Sequence, residues 1–92
     1  MITLQEVSVP GCVECIQFEK LWEQIKGDFP NVTKETIDAT IPQGPELVAH
    51  YGIMAAPGII INGELFSVGG VSKNTLIKKL QELTTKQPSP TT

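Results

Sequence analysis

The chain has 92 residues, 40 % of them apolar, and a formal net charge of −3 at pH 7. A chain of this length forms one domain with a modest core. All 7 basic residues are lysines without a dense cluster, which argues against nucleic-acid binding. No apolar run approaches the roughly 20 residues of a membrane helix, and MITLQEVSV lacks a signal-peptide pattern. We therefore expect a cytoplasmic protein that binds neither nucleic acid nor membrane.

The first predicted elements are a strand and an amphipathic helix. ITLQEVSV (2–9) is rich in β-branched residues and ends at Pro10-Gly11, which is typical of a strand. The next apolar residues follow an i, i+3, i+4, i+7 pattern and predict a helix whose buried face includes Phe18 and Trp22. Gly27 is the expected C-terminal cap of this helix.

A weaker strand and a short helix follow. VTKETID (32–38) alternates as a strand does, and the stretch from Gly44-Pro45 to Gly52 predicts a helix of about two turns. The order strand, helix, strand predicts a right-handed βαβ unit with parallel strands.

The second half predicts a hairpin and a last helix. GIIIN (58–62) fits a strand buried on both faces, and Asn62-Gly63 is a strong hairpin signal before ELFSV (64–68). Ser72 is the expected N-cap of the last helix. The order β-α-β-α-β-β-α predicts an α/β domain with a four-stranded mixed sheet flanked by helices. We expect this domain to span residues 1–84 and residues 85–92 to form a disordered tail.

Cys12 and Cys15, in PGCVEC, are the 2 cysteines of the chain. Their C-x-x-C spacing alone leaves three interpretations open: a redox pair, half of a metal site, or two small residues at a helix start. Two cysteines are too few for a secreted disulfide scaffold, and C-x-x-C near a βαβ pattern favours redox chemistry.

The helical pattern gives the two cysteines different environments. Cys12 lies at the expected helix N-terminus, where N–H groups and the helix dipole stabilise a thiolate. Cys15 lies three residues before Phe18 and begins the buried face. Cys12 is therefore the expected nucleophile and Cys15 the resolving thiol. Glu14 places a like charge beside this thiolate, so we expect only modest acidification of Cys12. The reduction potential of the cysteine pair is therefore expected towards the reducing end of the range for C-x-x-C couples.

PGCVEC after a strand, together with YGIMAAPGIIINGELFSVGGVSKNTLIKKL (51–80), resembles the thioredoxin superfamily. The resemblance covers residues 1–84 and implies a minimal thioredoxin fold, because the sequence starts at the strand before the cysteines. It also implies a cis Pro57 beside the cysteine pair, with the backbone of Ala56 free to bind a substrate peptide as an added strand.

The resemblance further suggests a role for Glu6, six residues before Cys12. Thioredoxins often carry a buried acid there that assists proton transfer to the resolving cysteine. Glu6 is similar in position, and burial would raise its pKa. Since Gln5 leaves the facing of the strand undecided, the simpler interpretation of Glu6 is an exposed strand residue.

The sequence departs from both large groups of the superfamily. Ala55-Ala56-Pro57 replaces the T-V-P of glutaredoxins, no acidic pair follows Gly69-Gly70, and no arginine is present to bind a glutathione carboxylate. The W-C-G-P-C-K of thioredoxins is also absent. The chain is most similar to small thioredoxin-like or glutaredoxin-like redox proteins.

The expected function is a thiol–disulfide oxidoreductase that reduces protein disulfides, with no cofactor. We expect a monomer that receives electrons from a reductase or a low-molecular-weight thiol. The alternative is a metal or Fe–S module that shares the cysteine pair across a dimer, since structural zinc needs four ligands. His50 is expected to be structural, and Met54 is expected either in the core or on the substrate surface.

Overall fold

The computed structural model describes residues 2–41 and 43–86. Its sheet consists of β1 (Ile2–Ser8), β2 (Val32–Asp38), β3 (Gly58–Ile61) and β4 (Glu64–Val68). The helices are α1 (Val13–Ile25), α2 (Gln43–Tyr51) and α3 (Lys73–Lys86). This is the β-α-β-α-β-β-α order that the sequence predicts.

The four strands form one mixed sheet in the order β2-β1-β3-β4. β1 is parallel to β2, with Ile2 opposite Val32 and Ser8 opposite Asp38. β3 is antiparallel to both β1 and β4. The prediction of a parallel βαβ unit followed by an antiparallel hairpin is therefore confirmed.

The hairpin turn between β3 and β4 has the geometry that its sequence demands. Asn62 and Gly63 have φ values of 51° and 79°, the left-handed pair of a type I′ turn. The Asn62 side chain also accepts a hydrogen bond from the Thr3 N–H at 2.9 Å. The turn is therefore fixed against the start of β1.

Both faces of the sheet are covered, which explains why all four residues of β3 are buried. The larger core lies between one face and helices α1 and α3, and its members include Leu4, Phe18, Trp22, Leu76 and Leu80. The smaller core lies on the other face, where Val7 and Ile60 meet α2. Helix α1, which contains Cys15, thus rests on the larger core.

Two helix ends differ from the prediction. α1 ends at Ile25 and continues as a 3-10 turn over Lys26–Asp28, so Gly27 does not cap the α-helix. α3 runs to Lys86, and near its end Thr84 Oγ1 donates a hydrogen bond to the Leu80 carbonyl at 2.8 Å. The helix thus extends two residues beyond residue 84, the expected end of the domain. The rest of the predicted tail, residues 87–92, lies outside the described residues.

The start of α3 agrees with the prediction for Ser72. Its Oγ accepts the Thr75 N–H at 3.5 Å, and its carbonyl accepts the Leu76 N–H at 3.0 Å. None of the helices in the described ranges is both long enough and apolar enough to cross a bilayer.

Candidate active site

The two cysteines are positioned by the turn between β1 and α1. Gly11 has a φ of 75°, a left-handed conformation that favours glycine, and this reverses the chain after β1. Cys12 follows as the N-cap of α1 in an extended conformation, with φ −80° and ψ 113°. The turn thus places the first cysteine at the positive end of the helix.

Cys12 and Cys15 are joined by a disulfide, with a Cα–Cα distance of 5.2 Å. Cys15 is only 3 % exposed, whereas Cys12 is half-buried. A reagent in solution therefore reaches the sulfur of Cys12 first.

The sulfur of Cys12 has a stabilising donor. The Cys15 N–H donates a hydrogen bond to Cys12 Sγ at 3.0 Å. An N–H that points at a sulfur favours its thiolate, and the helix dipole acts in the same direction. The start of α1 therefore suits a nucleophilic Cys12.

The loop before β3 contains a cis peptide bond between Ala56 and Pro57, as the resemblance implied. The Pro57 carbonyl accepts the Gly69 N–H at 3.0 Å, which ties this loop to the segment after β4. The backbone of Ala56 has no hydrogen bond to any other residue within the described ranges. Its N–H and C=O are thus available to a ligand.

Glu14 is exposed in the first turn of α1. A Cβ built on Gly70 would lie 2.8 Å from its Oε2, so the carboxylate rests over the backbone of that glycine. The segment after β4 therefore contacts both the cis-proline loop, through Gly69, and the helix that carries the cysteines, through Gly70.

Glu6 is the buried acid of the fold. Its exposure is 0 %, and its Oε1 lies 3.1 Å from Lys34 Nζ and 3.4 Å from Thr36 Oγ1. Its Oε2 has no hydrogen-bond partner in the part of the chain that the structure describes. The interpretation of Glu6 as an exposed strand residue is therefore wrong, because Glu6 alternates in phase with the buried Ile2 and Leu4 of β1.

Burial raises the pKa of Glu6 above its ordinary value of 4.5. Lys34 and Thr36 oppose this shift, and the negative charge of Glu19 adds to it, but desolvation is the largest cause. Glu6 lies in phase with Ile2 and Leu4 along β1 and thus on the face that α1 covers. Glu6 and Cys15 therefore share the layer between the sheet and α1.

The family model described as a thioredoxin domain matches residues 5–82. The chain belongs to the thioredoxin family. With its C-x-x-C pair at disulfide distance, this thioredoxin-like chain is a thiol–disulfide oxidoreductase. Members of the family act on disulfide substrates together with a reductase.

A thioredoxin of Methanocaldococcus jannaschii is 25 % identical over 81 residues, which cover 88 % of this chain and 94 % of the archaeal protein. Among solved structures, Fasciola hepatica thioredoxin is similar, with a TM-score of 0.68 and 18 % sequence identity. The match covers 88 % of this chain and 79 % of the Fasciola hepatica chain. An uncharacterised thioredoxin-like protein of Clostridium perfringens is similar with a TM-score of 0.77 at 14 % identity, covering 94 % and 73 %. These structures share the fold of this thioredoxin-like chain.

The remaining candidate residues of this thioredoxin-like chain lie on its surface. Met54 was expected either in the core or on the substrate surface; it is 91 % exposed, so the expectation of a core position is wrong. His50 is exposed and packs edge-on against Tyr51, whose OH donates to the Gly63 carbonyl at 3.2 Å. Within residues 2–41 and 43–86, no three His, Cys, Asp or Glu side chains are placed to hold a metal ion.

The sequence patterns did not indicate Lys34 and Thr36, the two polar partners of Glu6. The signal that could have found them is the parallel register, which puts Thr36 opposite Glu6. Lys34 is two residues earlier on the same face of β2, within reach of a long side chain.

Proposed function

We propose that the chain reduces protein disulfides, with Cys12 as the nucleophile and Cys15 as the resolving thiol. The observation that carries the proposal is the contrast at the start of α1, where Cys12 is accessible and hydrogen-bonded while Cys15 is 3 % exposed. A buried thiol is protected until the first cysteine has reacted.

The reaction has two exchange steps. The Cys12 thiolate attacks one sulfur of the substrate disulfide, and the other substrate sulfur leaves as a thiolate and takes up a proton. Cys15 then loses its proton and attacks Cys12 Sγ, which releases the second substrate thiol and closes the Cys12–Cys15 disulfide. Two electrons have passed from the dithiol to the substrate.

Glu6 is the proposed proton acceptor for Cys15. A buried carboxylate with a raised pKa is a stronger base than an exposed one, and Glu6 faces the same layer as Cys15. Lys34 lies beside Glu6 and holds the carboxylate in place through the contact with Oε1.

The substrate strand is proposed to pair with the free backbone of Ala56, next to Pro57. The protein is proposed to act as a cytoplasmic monomer that is recycled by a reductase or a low-molecular-weight thiol. Glu14 is proposed to make the couple more reducing, because an anion near Cys12 disfavours its thiolate.

A redox titration with parallel metal analysis tests the function. The purified protein is equilibrated in dithiothreitol buffers and its free thiols are counted, and insulin reduction is followed in the same preparation. We expect one two-electron transition that disappears in Cys15→Ser, with insulin reduction and no stoichiometric metal. One metal ion per two chains, with no insulin reduction, would instead support the shared metal site.

A further inference from the structure

A cleft runs along α1 on the side that faces the start of α3, away from the disulfide itself. Its volume is about 450 Å³, and it is lined by residues of α1 and of the segment from Gly70 to Lys73. Phe18, Leu21 and Val71 contribute its apolar surface. This α1–α3 cleft has no role in the two exchange steps.

The near end of the α1–α3 cleft is lined by Glu14, two residues after Cys12 in the first turn of α1. Gly70 lines the same end of the cleft. The N–H of Gly69, the residue before Gly70, donates a hydrogen bond to the Pro57 carbonyl in the cis-proline loop. A polypeptide that passes from Ala56 across Cys12 therefore meets the mouth of the cleft.

The far end of the α1–α3 cleft carries positive charge. Lys20 and Lys73 both line it, and Lys73 Nζ lies 3.5 Å from Oε1 of Gln24, one turn after Lys20. Lys20 has no ion pair or hydrogen bond among the described residues. In a chain with a net charge of −3, two lysines at one end of a cleft form a local site for an anion.

The distance from Cys12 to this charge fits a short peptide. Lys20 is eight residues after Cys12, which corresponds to about 12 Å along a helix. An extended chain covers about 13 Å in four residues. A carboxylate four residues from a reacting cysteine therefore reaches the two ammonium groups.

We propose that the α1–α3 cleft binds an extended segment of the disulfide substrate, and that Lys20 and Lys73 select an acidic side chain about four residues from its reacting cysteine. The proposal rests on the proposed function, since the peptide must react with Cys12. Glu14 at the mouth of the cleft disfavours an acidic residue closer to that cysteine.

The test uses peptides whose single cysteine is a mixed disulfide with 2-nitro-5-thiobenzoate. Four peptides carry Asp or Asn four residues before or after the cysteine. The second-order rate constant of the reduced protein is measured with each peptide and with uncharged bis(2-hydroxyethyl) disulfide. We compare the wild type with Lys20→Gln/Lys73→Gln and with Lys78→Gln/Lys79→Gln, which removes the same charge elsewhere on α3.

We expect one Asp peptide to react about three- to tenfold faster than its Asn counterpart, the effect of two exposed ion pairs. The preference should persist in Lys78→Gln/Lys79→Gln, disappear in Lys20→Gln/Lys73→Gln, and fall in about 0.5 M NaCl. Equal Asp and Asn rates in the wild type, or equal losses in both double variants, would overturn the inference.

The uncharged disulfide separates this inference from the proposed function. If every variant reduces it at the same rate but no Asp preference exists, only the cleft proposal is wrong. If the wild type fails to reduce it, the proposed function is wrong and the cleft proposal with it.

Discussion

Lys34 Nζ lies 3.1 Å from Oε1 of Glu6, a carboxyl group with no exposed surface on the sheet face that α1 covers. The contact compensates only part of the cost of burying the carboxylate, since the pKa of Glu6 is still raised by desolvation. The fold therefore keeps a destabilising group in the layer between the sheet and α1, the helix whose buried face includes Cys15. A structural role alone would not favour such a group, whereas proton transfer would.

Glu6→Gln should make the oxidised protein more stable at neutral pH. The raised pKa means that the protonated carboxyl is favoured on folding, so the contribution of Glu6 is most favourable below pH 4.5 and is lost as pH rises through the raised pKa. Gln imitates the protonated form at every pH. We therefore expect a higher free energy of unfolding for Glu6→Gln than for the wild type at pH 7.

Urea unfolding of both proteins between pH 4 and pH 8 measures this difference. The gain should shrink towards zero as the pH falls below 4.5, the ordinary value for Glu6. Unfolding free energies that stay parallel across this range would contradict the raised pKa.

Glu6→Gln should also slow the resolving step. A general base typically contributes at least about 100-fold, and Gln cannot accept the proton of Cys15. Stopped-flow release of the second thiol from a mixed disulfide on Cys12 gives this rate. Glu35→Gln, a change at an exposed carboxylate on β2, is the control and should leave the rate unchanged.

The pH profile of the resolving rate distinguishes a base from a packing residue. The wild-type profile should contain an ionisation that Glu6→Gln lacks. If both proteins show the same profile, Glu6 has no part in proton transfer.

Glu14→Gln should make the cysteine couple less reducing. Removing an exposed negative charge beside Cys12 stabilises its thiolate, and an effect of about 0.5–1 kcal/mol corresponds to about 10–20 mV in the reduction potential. Equilibration with glutathione buffers measures this shift, and Glu46→Gln on α2 is the matched control. An unchanged or more negative potential would show that Glu14 does not tune the couple.

Phe18→Ala should destabilise the protein by about 3–5 kcal/mol, because Phe18 is 2 % exposed in the larger core beneath α1. Ile16→Ala on the same helix is the control: its side chain is 52 % exposed, and we expect a change within about 0.5 kcal/mol. Thermal or urea unfolding of the two variants checks the difference. Similar losses in both would mean that α1 is not held by Phe18.

Periodicity was enough to predict much of the fold and the asymmetry of the cysteine environments. The helical spacing from Phe18 onward put Cys15 on the buried face, and Asn62-Gly63 located the hairpin. A charged residue in a strand is ordinarily exposed, so the sequence favoured the solvent for Glu6, whereas the structure buries it in phase with Ile2 and Leu4 on the face that α1 covers. Nor could periodicity locate the end of α3, because the last turn, up to Lys86, has polar residues without a periodic apolar pattern.

Trapping of the mixed disulfide tests the central claim, that Cys12 attacks and Cys15 resolves. Reduced Cys12→Ser and Cys15→Ser proteins are mixed with a disulfide-bonded protein, and the products are analysed by non-reducing mass spectrometry. We expect Cys15→Ser to accumulate a covalent adduct on Cys12, while Cys12→Ser reacts slowly through its 3 % exposed Cys15. Faster adduct formation at Cys15, or no adduct in either variant, would contradict it.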